Sequence, residues 1–127
     1  MKFNFEKFVG QNVRSEKRIT VTKSYSFGFP QKFYNENKIK DYKYVSLFWD
    51  KENMAVGLHF TNDEDEKNKF SIIHSQKGYG GRLVARSFFK SYNINPKKYH
   101  GRYQWKKIKL ENVGTIFVIE LKQYPEK

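Results

Sequence analysis

Hydrophobic residues alternate with polar ones in several short runs of the chain, and a period of two is typical of β-strands. In RITVTKSYSFGF, residues 18–29, four apolar side chains keep that period and predict one strand or a bent pair of strands. Two apolar-rich runs within residues 43–61 flank a polar connection at 50–53, which predicts a β-hairpin. The remaining predicted strands are residues 70–75, residues 82–86 and the pair RYQWKKIKL and TIFVIELKQ, separated by a turn at 111–114.

Two segments place apolar residues among polar ones at the spacing of a short amphipathic helix. Residues 30–39 begin with Pro30, which suits a first helical turn, and residues 87–94, SFFKSYNI, form the second segment. Residues 1–17 mix charge and aromatic rings without a clear period, and we expect an arm or an edge strand there. The pattern as a whole predicts a sheet-rich α+β fold with two short helices.

Length and composition narrow the class of protein. A chain of 127 residues is long enough for one core, so we expect residues 1–127 to form a single domain. It has no cysteine, which excludes disulfides, thiolate catalysis and cysteine-ligated metals. No apolar run approaches the ~20 residues of a membrane span, and no signal-peptide pattern occurs. We therefore expect a soluble, cytoplasmic protein without a membrane partner.

The net charge of +12 is concentrated in one segment. Residues 67–110 contain twelve Lys or Arg and no Asp or Glu, whereas the other 83 residues carry 13 basic and 13 acidic groups. Most of the basic residues are lysine, which codon bias in an A+T-rich genome also explains. Such a bias would spread lysine evenly and would not remove acids from one segment. The placement therefore favours a basic surface that attracts nucleic acid.

Basic and aromatic side chains are interleaved in that segment, as on nucleic-acid-binding surfaces, because cations neutralise phosphates and exposed rings stack on unpaired bases. The glycine loop KGYGGR at 77–82 could bring backbone NH groups and two cations to a phosphate; the alternative is a mobile hairpin turn. The loop lacks the Gly-Lys-Ser/Thr ending of a P-loop. The predicted contact residues are Lys77, Tyr79, Arg82, Arg86, Lys90, Lys97, Lys98, Arg102, Lys106 and Lys107.

The sequence does not predict catalysis, a metal or a cofactor. The three histidines are scattered, so each is expected to be structural. Residues 63–66 are four adjacent carboxylates in a charged surface turn at 62–69, without the alternating ligands and glycine of a calcium loop. There is no Ser, His and acid trio and no pair of carboxylates in apolar surroundings. We therefore expect a protein that is not an enzyme.

The two predicted helices occur in similar surroundings, since each follows a strand and precedes a hairpin. This order suggests an internal repeat with halves at about 18–61 and 70–121, and two unrelated amphipathic helices are the alternative. With Ile39 aligned to Ile94, the matched pairs are Phe29 with Val84, Phe33 with Phe88 and Tyr34 with Phe89.

The stretch FGFPQKFYNENKIKDYKYVSLFWDKENMAVGLHF resembles the AbrB-type swapped-hairpin DNA-binding domain, whose pattern is a strand ending in Ile-Pro, a short helix closing in Gly-Ile, and a strand pair. In the second half GRLVARSFF resembles the same family's Gly-Arg-Val-Val-Ile-Pro stretch, with Gly81 and Arg82 at its Gly-Arg. The proline position there is Ala85 or Arg86. Lys38 and Asn93 stand where the family closes its helices with glycine, a left-handed position that asparagine adopts more readily than lysine.

The resemblance implies two copies in one chain, forming a swapped-hairpin-like barrel, as in the tandem cell-division regulator branch of the family. It also implies that duplex DNA meets basic residues on the strand before each helix. Gly81 and Arg82 are the residues carried over in the second half, and Arg18 and Lys23 are their counterparts in the first.

Charge and resemblance together predict a non-enzymatic nucleic-acid-binding protein, a small transcription regulator more suited to duplex DNA than to RNA. It would act as a monomer or a homodimer. One alternative is a single-strand binder that stacks bases on rings such as Tyr79. Another is a protein-interaction module, an inhibitor or antitoxin, whose basic face docks on an acidic partner protein.

Overall fold

Antiparallel β-strands make up most of the computed structural model, which describes residues 3–5, 18–76 and 80–123. Residues 3–5 are irregular and exposed, and the rest of the predicted N-terminal arm lies outside the described residues. The strands are β1 Arg18–Thr22, β2 Ser26–Pro30, β3 Tyr44–Asp50, β4 Ala55–Thr61, β5 Phe70–Ser71, β6 Ile73–His74, β7 Gly80–Val84, β8 Gly101–Gln104, β9 Lys106–Leu110 and β10 Gly114–Glu120.

These strands form two five-stranded antiparallel sheets. Sheet A has the order β6-β7-β2-β1-β8, and sheet B has the order β5-β3-β4-β10-β9. The pattern at residues 18–29 is the bent pair β1–β2, and the hairpin predicted within residues 43–61 is β3–β4. The prediction of a sheet-rich α+β fold is confirmed at this level.

The chain passes from one sheet to the other at Ile72. Residues 70–75, predicted as one strand, are β5, which pairs with β3, and β6, which pairs with β7. Between them the Ile72 amide donates to the carbonyl of Lys43 at 2.9 Å. The prediction of a single strand was wrong. The extended backbone runs through Ile72 without a break in the sequence pattern, although the neighbouring strand changes from β3 to β7.

A second crossing occurs at Trp105, within the run predicted as the strand RYQWKKIKL. β8 pairs with β1 in sheet A, whereas β9 pairs with β10 in sheet B. The Trp105 ring packs between the sheets, with its centroid 5.6 Å from that of Phe33 and 5.0 Å from that of Phe117. With both crossings, the described strand runs form a closed ring of neighbours.

Within the described parts of the chain, three short α-helices and one 3₁₀ turn connect the strands. They are α1 Gln31–Glu36, the 3₁₀ turn Ile39–Asp41, α2 Arg86–Ser91 and α3 Pro96–Tyr99. Pro30 caps α1 instead of lying within it. The strand predicted at 82–86 ends at Val84, because Arg86 already begins α2.

The helix α3 lies in a segment that was predicted to be a connection, so the prediction of two helices missed this one. Asn95 caps α3 by accepting a hydrogen bond from the Lys97 amide at 3.0 Å, and Pro96 occupies the first helical turn. No helix among the described residues is long and apolar enough to cross a membrane.

One hydrophobic core lies between the two sheets, with Phe33 of α1 near its centre. The Phe33 side chain is fully buried. Its ring centroid lies 5.9 Å from that of Phe29 in sheet A, and 6.2 Å and 5.1 Å from those of Phe60 and Phe117 in sheet B. Burial of such a side chain stabilises the fold by roughly 2–3 kcal/mol, so α1 ties both sheets to a common interior.

Candidate nucleic-acid interface

The carboxylates of the described residues are absent from sheet A and from helices α2 and α3. They lie in sheet B, in α1, in the 3₁₀ turn and in the connections around them. The acid-free region is therefore larger than the segment 67–110, because β1 and β2 join it through strand pairing. The acidic residues among those described are Glu36, Asp41, Asp50, Glu52, Asp63, Glu64, Asp65, Glu66, Glu111 and Glu120.

Two arginines stand in one cross-strand row on the outer side of sheet A. Thr20 of β1 is opposite both Gly28 of β2 and Arg102 of β8, and Gly28 is opposite Arg82 of β7. Directly opposed residues in antiparallel strands point to the same side. Arg82 and Arg102 are exposed, so they flank a floor that carries only a threonine and a glycine.

Arg18 adds a third arginine on the same side of the sheet. It precedes Thr20 by two positions on β1, and a period of two places both side chains on one face. Its cross-strand partner is Gln104, and its side chain is half-buried. We call the outward side chains of Arg18, Arg82 and Arg102 the arginine face.

Small polar side chains continue the floor of the arginine face along β1 and β2. Thr22 lies opposite Ser26, and their hydroxyl oxygens are 2.5 Å apart. Val84, opposite Ser26 on β7, is 44% exposed. Among the described residues, the outward positions of sheet A carry no aromatic ring, although Ile73, opposite Arg82, is exposed as Val84 is. This side of the sheet therefore offers charge, hydrogen bonds and two aliphatic side chains, but no stacking platform.

A second group of cations surrounds Tyr25 in the turn between β1 and β2. The Arg86 guanidinium lies 5.5 Å from the Tyr25 ring centroid, and Lys90 Nζ lies 6.0 Å from it. Both distances allow cation–π attraction. Lys97 joins Tyr25 and Lys90 in lining a cavity of about 550 Å³, while Lys23 is exposed in the same turn. We call this the Tyr25 group.

The other described lysines predicted to bind nucleic acid belong neither to sheet A nor to the Tyr25 group. Lys106 and Lys107 belong to β9 in sheet B. Lys106 forms an ion pair with Glu120 at 3.2 Å, and Lys107 Nζ lies 5.4 Å from the Phe117 ring centroid. Lys98 is exposed on α3. The crossing at Trp105 therefore distributes the predicted residues over both sheets.

The described glycines of the predicted phosphate loop pack against neighbouring strands. Gly80 has a φ of +128°, and a Cβ there would lie 2.5 Å from the carbonyl oxygen of Phe29. A Cβ on Gly81 would lie 3.2 Å from a ring carbon of Tyr34 on the inner side. Both glycines allow β7 to approach β2 and α1 closely. Lys77 and Tyr79 lie outside the described residues.

Two of the histidines have structural hydrogen bonds. The Nε2 of His74 is 2.9 Å from the carbonyl oxygen of Tyr42, and its Nδ1 is 2.7 Å from the Tyr34 hydroxyl. A carbonyl only accepts, so Nε2 carries the proton and the Tyr34 hydroxyl donates to Nδ1. Burial raises the pKa of Tyr34, and Asp41 raises it further. Nδ1 of His59 is 3.0 Å from the carbonyl oxygen of Thr115.

The acidic turn at 62–69 is attached to β3, not to the arginine face. Tyr44 donates a hydrogen bond to Glu64 at 2.7 Å, and Ser46 donates one to Glu66 at 2.8 Å. The bond from Tyr44 lowers the pKa of Glu64, and Lys43 lowers it further. The described residues contain no group of His, Asp and Glu side chains able to hold a metal ion.

Comparison with known proteins does not identify a class. No family model, no curated protein and no solved structure matches the chain.

Proposed function

We propose that this protein is a non-enzymatic nucleic-acid-binding protein, a small regulator that holds the phosphates of duplex DNA on its arginine face. The observation that carries the proposal is the placement of Arg18, Arg82 and Arg102 on one side of an acid-free sheet. Arginine donates in a fixed fork that matches phosphate oxygens, and several such contacts release counterions from DNA.

The dimensions of the arginine face support a ligand with a regular backbone. Arg82 and Arg102 are three strand spacings apart, roughly 14 Å between their Cα atoms, with only Thr20 and Gly28 between them. This leaves room for a sugar–phosphate strand on the floor, flanked by guanidinium groups. The lack of an outward ring on the described strands of sheet A favours phosphate contacts over base stacking, and hence duplex DNA over single strands.

The internal repeat and the resemblance to the AbrB-type domain form part of the same proposal. Helices α1 and α2 are six residues long and begin 55 positions apart, at Gln31 and Arg86. The residues that follow them have similar backbone angles, with φ of 53° at Lys38 and 54° at Asn93. Both positions are left-handed without glycine, so the missing family glycines do not weigh against the resemblance.

Burial on β2 and β7 does not agree with one residue match of the repeat alignment. Phe29 is buried, whereas Val84, its match at 55 positions, is 44% exposed. The residue before it, Leu83, is buried. The helices and the left-handed residues that follow them support the repeat, and the strands that precede them do not support it at this offset.

The test is direct binding measured by fluorescence anisotropy at several salt concentrations. Duplex DNA, single-stranded DNA and RNA of one sequence are compared with the wild type and with a variant in which Arg18, Arg82 and Arg102 are changed to glutamine. A charge-matched control changes the exposed lysines outside sheet A, Lys51, Lys67 and Lys109, to glutamine. Circular dichroism shows whether each variant is folded.

We expect salt-dependent binding to duplex DNA that the arginine variant loses and the lysine control largely keeps. Equal loss in both variants would mean that net charge alone attracts DNA, and the proposed face would be rejected. Tighter binding to single strands would instead favour the stacking alternative. Co-purification of an acidic protein in a fixed ratio, with binding to none of the nucleic acids, would favour the protein-interaction alternative.

A further inference from the structure

A cavity of about 420 Å³ opens at the crossing where β8 of sheet A continues into β9 of sheet B. Its lining is mostly polar and carries four cations and one carboxylate. The cavity is distinct from the floor between Arg82 and Arg102, although two arginines of sheet A reach it. The charged and amide side chains that line it are Arg18, Arg102, Gln104, Lys106, Glu120 and Lys122.

Arg18 presents a buried donor at this cavity. Its Nε atom is inaccessible to solvent and has no hydrogen-bond partner among the described residues. A buried, unsatisfied guanidinium NH destabilises the fold, and such groups are rare in folded proteins. A donor in this position favours an acceptor within the cavity, and a negatively charged acceptor most of all.

The walls of the cavity are held by contacts in both sheets. On the sheet A side, Arg18 lies opposite Gln104. On the sheet B side, Lys106 lies opposite Val118 and forms its ion pair with Glu120. The backbone of Lys122 is held by the Tyr103 hydroxyl, which lies 3.2 Å from its amide and 2.9 Å from its carbonyl oxygen.

We propose that this cavity binds a phosphate group. Four cations against one carboxylate give the lining a formal charge of +3. The arginine guanidinium groups and the lysine ammonium groups supply more N–H donors than the two oxygens of a carboxylate can accept. A phosphate offers three or four acceptor oxygens. The inference deepens the proposed function, since the nucleic acid is one source of the phosphate and free phosphate is the other.

Glu120 sets the affinity of the cavity. In the described structure its carboxylate takes up part of the charge of Lys106. A phosphate must compete with this ion pair, and it also meets the negative charge of Glu120. Removing that charge in Glu120→Gln is therefore expected to tighten phosphate binding by about threefold, an outcome that a loss of folding would not produce.

The test follows the side-chain Nε–H resonance of Arg18 by ¹⁵N NMR, assigned by its absence in Arg18→Lys. Inorganic phosphate is titrated into the full chain, with sodium chloride of matched ionic strength as the control. We expect a saturable shift of the Arg18 resonance with phosphate only. The shift should saturate at a lower phosphate concentration in Glu120→Gln and at the wild-type concentration in Lys109→Gln. A shift that chloride reproduces, or no shift in either salt, would overturn the inference.

The source of the phosphate is decided with one DNA duplex prepared with and without a 5′-phosphate. If the nucleic acid supplies it, the duplex reproduces the Arg18 shift, and the 5′-phosphate strengthens the effect if a strand end is held. A shift with inorganic phosphate alone assigns the cavity to free phosphate. A further outcome is duplex binding that depends on Arg82, with an Arg18 resonance that shifts neither on addition of the duplex nor on addition of inorganic phosphate. This result would refute this inference and keep the proposed function.

Discussion

Placing a carboxylate at Gly28 tests the arginine face without removing an arginine. Gly28 lies in the floor between Thr20 and Arg82. A Cβ there would meet Thr20 Cβ at 3.4 Å, an ordinary contact, and the backbone is not in the left-handed region. Glutamate and glutamine at this position therefore fit the fold equally, and they differ only in charge.

The expected effect follows from counterion release. The carboxylate introduced by Gly28→Glu would lie beside Arg82 in the same cross-strand row and would neutralise it. The loss of one phosphate contact makes the slope of log K against log salt less negative by about 0.9. When salt is lowered from 1 M to 0.1 M, the variant therefore gains about eightfold less affinity than the wild type. If the new charge cancels a second contact, this difference rises to about sixtyfold.

The assay is fluorescence anisotropy with duplex DNA over a range of salt concentrations, comparing wild type, Gly28→Gln and Gly28→Glu. We expect Gly28→Gln to keep the wild-type slope, with a change in affinity that is independent of salt. Gly28→Glu should show the shallower slope. If the two variants bind with the same slope and affinity, the floor of sheet A does not meet phosphate and the proposed interface is wrong.

Further predictions concern stability and acid titration. Gly80→Ala should destabilise the fold by about 2–4 kcal/mol, from a left-handed φ and a clash with the backbone. Gly114→Ala has a φ of +113° but only an ordinary contact, with His59 Cε1 at 3.7 Å, and should cost about 1 kcal/mol. Equal costs in urea unfolding would contradict the close strand approach. Lys38→Gly should stabilise by about 0.5–1 kcal/mol by relieving a φ of 53°, and destabilisation would contradict this. The pKa of Glu64 is lowered in the folded state, so its contribution to stability is present above the unfolded-state pKa and is lost as pH falls through the folded-state pKa. Tyr44→Phe should raise the pKa of Glu64 toward its ordinary value in a carboxyl NMR titration, and an unchanged pKa would contradict the assigned cause.

The alternation of apolar residues predicted the inner faces of the early strands, because it is a local property. Ile19 and Phe27 are buried as that pattern requires. The crossings at Ile72 and Trp105 were missed because alternation does not depend on which strand lies alongside. Helix α3 was missed for another reason: Asn95 followed by proline is a usable helix-start signal that the prediction treated only as a connection.

The arginines of the candidate interface were found from the sequence, but their grouping was not. Charge counted along the chain grouped Arg82 with Arg102 and also with Lys106 and Lys107. Pairing across strands keeps Arg102 beside Arg82, adds Arg18, and places the two lysines in sheet B. The pairing register between strands that are distant in sequence decides which arginines lie side by side, and a local sequence pattern carries no information about that register. The outward positions on β1 were recoverable, since they lie between the buried positions of the same period of two.

The closed ring of strands has a consequence for the order of folding. β1 and β8 pair Arg18 with Gln104, and β4 and β10 pair Leu58 with Phe117, so the ring closes only after most of the chain has left the ribosome. The hairpins β1–β2 and β3–β4 join residues close in sequence and require little loss of chain entropy, whereas the β1–β8 pairing requires a long loop to close. Until then β1 presents an unpaired edge, and the growing chain is most prone to aggregation during this interval.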